Sequence, residues 1–357
     1  MRAPHSETAR MSETQLFAEI HEQPAAVARL LARERERVRG LVPALFRADV
    51  RYVLIAARGT SDNAARYAQY LFGTQHRLPV ALAAPALYTL YETPPDMAGA
   101  LVIAISQSGR SPDIVSVIQA ARAQGRPTLA ITNHPASPLA EAAEHVLPIH
   151  AGEERSIAAT KTYTTSLAAV ALLSAARAGP AEAWAALTRL PEQMQAALNG
   201  LDAALARVER YTYASRAAVI GRGYNYATAG EAALKVQELT RIPTQAYSAA
   251  DFRHGPSALV EPGFPLLVIA PSGRTLADMA DCAQQARARG ADLITLSDDA
   301  DLLSRAQLPL PLPAEVPEWL SPLTAVLPGQ LLALRLTEAR GLPVDQPAGV
   351  NKVTETR

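Results

Sequence analysis

The chain has 357 residues, 49% of them apolar and 19% charged, enough to bury cores for two ordinary domains, which excludes disorder throughout. Lys plus Arg equal Asp plus Glu at 34 each, so no global field steers the protein to nucleic acid or to an anionic membrane, and neither partner is expected. The one cysteine, Cys282, excludes an internal disulfide framework, and an N-terminus without the apolar core of a signal peptide points to the cytoplasm.

Residues 1–13 are polar and without period, and are expected to be disordered, with Met11 an alternative start. From Thr14 to Arg39 apolar residues recur at helical spacing (Leu16, Phe17, Ile20, Val27, Leu30, Leu31), which predicts an amphipathic lead-in of two helices restarted at Pro24. Short apolar runs then alternate with helical segments: YVLIAA and AARYAQYLF, PVALAA, ALVIAIS and DIVSVIQAARAQG, then PTLAITN. That alternation predicts parallel strands covered by helices on both faces. After Thr160 the pattern is helical to about Val208; its longest apolar stretch, Leu167 to Ala176, is far shorter than the roughly 20 residues of a membrane span and reads as a buried helix.

A second alternation follows in the same order: AAVIGRG, the helix AGEAALKVQELT, PLLVIAPSG, ADMADCAQQARARG and ADLITLS. Strand, glycine turn and helix correspond in both halves, which predicts an internal duplication about 165 residues apart. The fold class expected is α/β, with two tandem domains, each a flavodoxin-like three-layer arrangement of a parallel sheet flanked by helices.

The sharpest local feature is ISQSGRSPD, where a strand runs into Ser106, Gln107, Ser108 and Gly109, with Ser111 just before a helix. Hydroxyls beside glycine at a helix N-terminus let N–H and O–H groups converge on an anion, as a phosphate requires; the bland alternative is an ordinary N-cap. A second such turn, ARGTS, puts Gly59, Thr60 and Ser61 at the same carboxyl edge, where open α/β sheets bind ligands. In AGEAALKVQELT, Glu231, Lys235 and Glu238 stand at i, i+4 and i+7 and share one helix face. Taken alone they read as a solvated ion-pair face. His254 precedes the Gly255–Pro256 turn, and Lys352 lies in the tail GLPVDQPAGVNKV; with Lys161 and Lys235 it completes the chain's three lysines. The seven histidines show no metal-ligand spacing and one cysteine cannot build a thiolate site, so no metal and no cofactor is expected; Cys282 reads as a packed small residue.

Six ordered segments, ARGTS, ISQSG, ERSIAATKTYT, GRGYNYATAGEAALKVQELT, YSAADFRHGPSAL and VDQPAGVNKV, resemble the sugar isomerase (SIS) family. They are similar in particular to the isomerase domain of glucosamine-6-phosphate synthase (glutamine–fructose-6-phosphate aminotransferase) and to the stand-alone isomerising glucosamine-6-phosphate deaminases. The resemblance implies a first SIS domain with its lead-in over 14–200, a second over 201–340, and an active-site tail over 341–357. It implies that Ser106, Gln107, Ser108 and Ser111 bind the phosphate beside Thr60 and Ser61, and that Ile157, Ala159 and Glu154 contact the sugar. It assigns Glu238 as the base that moves a proton between C1 and C2, with Lys235 placing charge nearby and Glu231 among the substrate-binding residues. It makes His254 the ring-opening group, a task that suits imidazole near neutrality, and contributes it to the neighbouring subunit's site, so a homodimer is expected. Lys352 would form a Schiff base with the open-chain ketose.

The synthase carries a further glutaminase domain whose N-terminal cysteine releases ammonia from glutamine. The 357 residues contain no such segment, so free ammonia and net deamination of glucosamine 6-phosphate to fructose 6-phosphate are expected. The second half has PSG where the first has SQSG, so one sugar site per chain is expected, and Arg110 stands where many relatives have an acidic residue. Galactosamine and fructosamine phosphates remain alternative substrates. A non-catalytic sugar-phosphate sensor is a further alternative, against which Glu238, His254 and Lys352 together argue; a transcription regulator is disfavoured by zero net charge and no helix-turn-helix ahead of the first sheet.

Overall fold

The computed structural model describes residues 14–347, 349 and 352; the disorder expected for 1–13 lies outside them. The lead-in is two helices, α1 (Gln15–His21) and α2 (Gln23–Leu45), with Pro24 in the first turn of α2, where a missing N–H costs nothing. Thr14 caps α1 by accepting from the Phe17 N–H, and the Asp345 carboxylate accepts from Gln15 and Leu16 at 3.0 and 2.9 Å.

The first half runs β1 (Tyr52–Ala56), α3 (Thr60–His76), β2 (Val80–Leu82), α4 (Ala86–Thr89), β3 (Ala100–Ile105), α5 (Pro112–Ala123), β4 (Thr128–Thr132), α6 (Pro138–Ala142) and β5 (His145–Pro148). Its five strands are all parallel in the order β2-β1-β3-β4-β5. Every residue of β3 and β4 is buried, which is why these strands read as unbroken apolar runs rather than alternating ones. The helices α7 (Lys161–Ala178), α8 (Ala181–Leu198) and α9 (Asp202–Leu205) follow.

The second half repeats the plan with β6 (Ala217–Gly221), α10 (Asn225–Thr240), β7 (Thr244–Ser248), α11 (Ala249–Arg253), β8 (Pro265–Ile269), α12 (Leu276–Ala288), β9 (Asp292–Ser297), α13 (Ala300–Ser304), β10 (Leu308–Pro311) and α14 (Ser321–Ala339). Its parallel sheet has the order β10-β9-β8-β6-β7, the same topology as the first read from the other edge. In both halves the chain reverses direction across the sheet between the first and third strands, the switch point where a crevice opens at the carboxyl edge.

The chain divides into two compact units. Residues 14–24, Glu153–Lys161 and Glu192–Lys352 form one, and Ala25–Gly152 with Thr162–Pro191 the other. The start of the lead-in and the EERSIAATK segment thus go with the second sheet. No helix among the described residues is long and apolar enough to cross a membrane.

Candidate active site

In the unit of the first sheet, both hydroxyl-rich segments stand at the switch point, one after β1 and one after β3. Gly59, at φ 53°, leads into α3, so Thr60 and Ser61 form the first turn of that helix rather than a free turn, with Ser61 N–H donating to the Arg58 carbonyl at 3.0 Å. After β3 the chain coils tightly: Gly109 N–H donates to Ser106 Oγ at 3.1 Å and Arg110 N–H to Ser108 Oγ at 3.3 Å. Gly109 has φ 63°, and its carbonyl accepts from Leu139 while Gln107 accepts from Asn133. Ser111 is the N-cap of α5, yet its hydroxyl caps nothing, so the bland N-cap reading does not account for it. Both helices start at this edge and direct their N–H ends to it, the setting for an anion.

One tie across these turns was not anticipated. Nε and Nη2 of Arg58 both reach Asp113 Oδ2 at 2.9 Å, and Asp113 is wholly buried in the first turn of α5. The pair fastens the segment after β1 to the helix after β3. In sequence it shows only as an arginine before one turn and an aspartate after the other.

In the unit of the second sheet, α10 carries Glu231, Lys235 and Glu238, and the expectation of a solvated ion-pair face is overturned. The side chains are 0%, 1% and 22% exposed, with Lys235 Nζ 3.5 Å from Glu231 Oε1 and 2.5 Å from Glu238 Oε2. The reason is α14, apolar on nearly all sides and packed along α10, with Gly329 close against Ala232. Burial works against the charge on Lys235, but the carboxylates of Glu231, Glu238 and Glu154 outweigh it and hold the lysine above its ordinary value. Lys235 is therefore a fixed cation, not a base, and it orients the one carboxylate of the row that reaches the surface.

The segment 153–161 and the tail meet in the same unit. Glu154, 0% exposed, accepts Lys352 Nζ on Oε2 at 2.7 Å and the Thr160 N–H on Oε1 at 2.9 Å. The Ser156 carbonyl also accepts from Lys352 at 2.7 Å, and Ile157 N–H donates to the Asp345 carbonyl at 3.2 Å. Ile157 and Ala159 are half-buried. From α1, Glu19 accepts from the N–H groups of Arg155 and Ser156, and Glu22 pairs with Lys161. Burial raises Glu19 above the usual carboxylate range, the Arg155 N–H lowers it, and the nearby Glu154 charge adds to the rise. All three lysines thus pair with carboxylates. Glu19, Glu22 and Asp345 escaped sequence reading because each sits in a segment whose pattern announces only a helix or a loose tail. His254 ends α11 and is exposed ahead of Gly255, whose φ is 135°. No cluster of three metal-ligating side chains occurs among the described residues.

The family described as the SIS domain matches residues 48–176 and 211–338, one match on each sheet. A glutamine–fructose-6-phosphate aminotransferase (isomerizing) from Methanothermobacter thermautotrophicus is 36% identical over 346 residues; the match covers 94% of this chain and 56% of that relative. Among solved structures, the C-terminal domain of glucosamine-fructose-6-phosphate aminotransferase from Francisella tularensis superposes with a TM-score of 0.83 at 26% identity, covering 94% of this chain and 98% of that one. Glucosamine-6-phosphate deaminase from Thermotoga maritima superposes with a TM-score of 0.76 at 18% identity, covering 96% and 100%, a likeness of fold.

Proposed function

Since this chain belongs to the SIS domain family, we propose that it isomerises and deaminates glucosamine 6-phosphate, giving fructose 6-phosphate and ammonia. The observation that carries the reading is the ion row on α10. A carboxylate that transfers a proton between adjacent carbons must be fixed and yet reachable, and Glu238 is held by a buried ammonium while part of it stays exposed. In this reading Thr60, Ser61, Ser106, Gln107, Ser108 and Ser111 hold the phosphate and the adjoining hydroxyls, and Ile157 and Ala159 line the sugar. His254, from the neighbouring subunit of a homodimer, opens the ring. Glu238 then shifts the proton between C1 and C2, Lys235 and Glu231 fix its position, and Lys352 takes the ketose as a Schiff base.

The Methanothermobacter relative is named for chemistry with glutamine, and this chain spans 56% of its length. Within these 357 residues the one thiol, Cys282, is buried, and burial pushes it above its ordinary value, so it is no nucleophile for an amide. In the reaction proposed here the nitrogen partner is free ammonia.

The test is release of ammonia and fructose 6-phosphate from purified protein given glucosamine 6-phosphate, with galactosamine 6-phosphate and a fructosamine 6-phosphate in parallel. Glu238→Gln is expected to lower kcat at least about a hundredfold while sugar-phosphate binding stays within about threefold. Turnover only of another sugar would change the substrate and keep the mechanism. Binding without turnover of any would make the protein a sensor, and full activity in Glu238→Gln would remove the base.

A further inference from the structure

We propose that Glu154 is the acceptor of the proton that Lys352 must lose before it can attack a ketose carbonyl, an inference that rests on the proposed function above. Both described neighbours of Lys352 Nζ are acceptors, the Glu154 carboxylate and the Ser156 carbonyl, each at 2.7 Å. A lysine side chain that carries its third proton is an ammonium and has no lone pair with which to attack carbon. Something must take its proton, and a backbone carbonyl is no base.

The other carboxylates of this neighbourhood are committed elsewhere. Glu19 holds the N–H groups of Arg155 and Ser156, Glu22 pairs with Lys161, and Glu231 and Glu238 flank Lys235. Glu154 alone among them bonds Lys352, and its side chain is fully buried. The Glu154 carboxylate is fully buried and the Lys352 side chain 23% exposed, so transfer of the proton relieves chiefly the desolvation of the carboxylate. The Thr160 N–H on Oε1 keeps the carboxyl in place through the transfer and leaves Oε2 turned to the lysine.

The step balances as follows. Lys352–NH3+ gives a proton to Glu154–COO−; the amine lone pair forms the N–C2 bond as the carbonyl π pair moves to oxygen, and one N–H proton passes to that oxygen to give a carbinolamine. The proton held on Glu154 then leaves with the hydroxyl as water. The products are the protonated Schiff base and the Glu154 carboxylate, with no net change in charge.

The experiment is borohydride trapping with fructose 6-phosphate, read by peptide mass at Lys352, on the full chain and on Glu154→Gln and Glu154→Asp. Glucitol 6-phosphate, which has no carbonyl, reports binding apart from chemistry. Glutamine keeps an acceptor for Thr160 but takes no proton, so trapping at saturating fructose 6-phosphate, the saturating range being set by glucitol 6-phosphate titration of each variant, is expected to slow about a hundredfold. Aspartate retains the base at longer reach and should restore most of the trapping; it decides the matter if the glutamine variant does not fold. Trapping at the unchanged rate in Glu154→Gln would overturn the inference and leave the proposed function standing; product release without any adduct at Lys352 would overturn the inference and remove the Schiff base from the proposed function while keeping its overall reaction. Failure of the unaltered protein to bind glucitol 6-phosphate or release product would instead remove the function, and this inference with it.

Discussion

At the scale of single residues, the buried row on α10 sets the strongest expectation. Lys235 is enclosed with Glu231 beside it, and loss of the ammonium would remove a counter-charge 3.5 Å from a buried carboxylate. Breaking a buried pair from one side costs about 3–5 kcal/mol, whereas replacing both partners by apolar groups of similar volume is often neutral. Lys235→Met should therefore lower stability by about that amount in denaturant titration, and Lys235→Met with Glu231→Leu should recover most of it. Both variants should be inactive, because Glu238 loses its anchor in each; a double variant that stays as unstable as the single one would show that the row does not act as a pair. The spacing of 231, 235 and 238 was legible in the sequence, but its burial was not. A run of charges on one helix face looks solvated until a partner is known to cover it, and the partner here, α14, lies about ninety residues further along the chain.

At the scale of elements, the turn after β3 depends on Gly109 for two separate reasons. Its φ of 63° is costly for any residue with a side chain, and a Cβ there would lie 2.6 Å from Ser137 Cβ, on the residue that caps α6. Gly125, at φ 67° after α5, has the same backbone demand with open space around it. Gly109→Ala should displace the Ser106–Ser108 coil and raise KM for the sugar phosphate at least about tenfold, whereas Gly125→Ala should cost about 1–2 kcal/mol of stability and leave KM unchanged. Equal KM values in the two variants would mean that this turn is not the phosphate cradle. The long, fully buried strands and their turns could be read from the sequence because continuous apolar runs and glycines mark them. The edge strands β5, β7 and β10 were not identified, since an edge strand half open to solvent carries little hydrophobic signal over four or five residues.

At the scale of the whole molecule, the duplication expected from matching segments appears as two sheets of one topology, but the copies differ where a ligand would sit. In the order of the repeat, Ser106, Gln107 and Ser108 of the first half correspond to Ala270, Pro271 and Ser272 of the second, which removes a hydroxyl, an amide and a backbone N–H. Asn133, after the fourth strand, corresponds to Asp298, and the Ser272 N–H that could face an anion donates instead to Asp298 Oδ1 at 2.6 Å. A Cβ at Gly273 would stand 2.8 Å from Glu318 Oε1, so a second carboxylate crowds the same turn. Two fixed negative charges against a turn with fewer donors oppose a phosphate dianion there by direct repulsion. Isothermal titration with fructose 6-phosphate should therefore saturate at one ligand per chain, and substitutions at Ser106 and Ser108 should abolish that single event. A stoichiometry of two, or binding that survives loss of both serines, would mean that the second turn opens to sugar phosphate despite Asp298 and Glu318. The missing SQSG gives the same expectation from the sequence; Asp298 and Glu318 at this turn give a second, electrostatic ground for it.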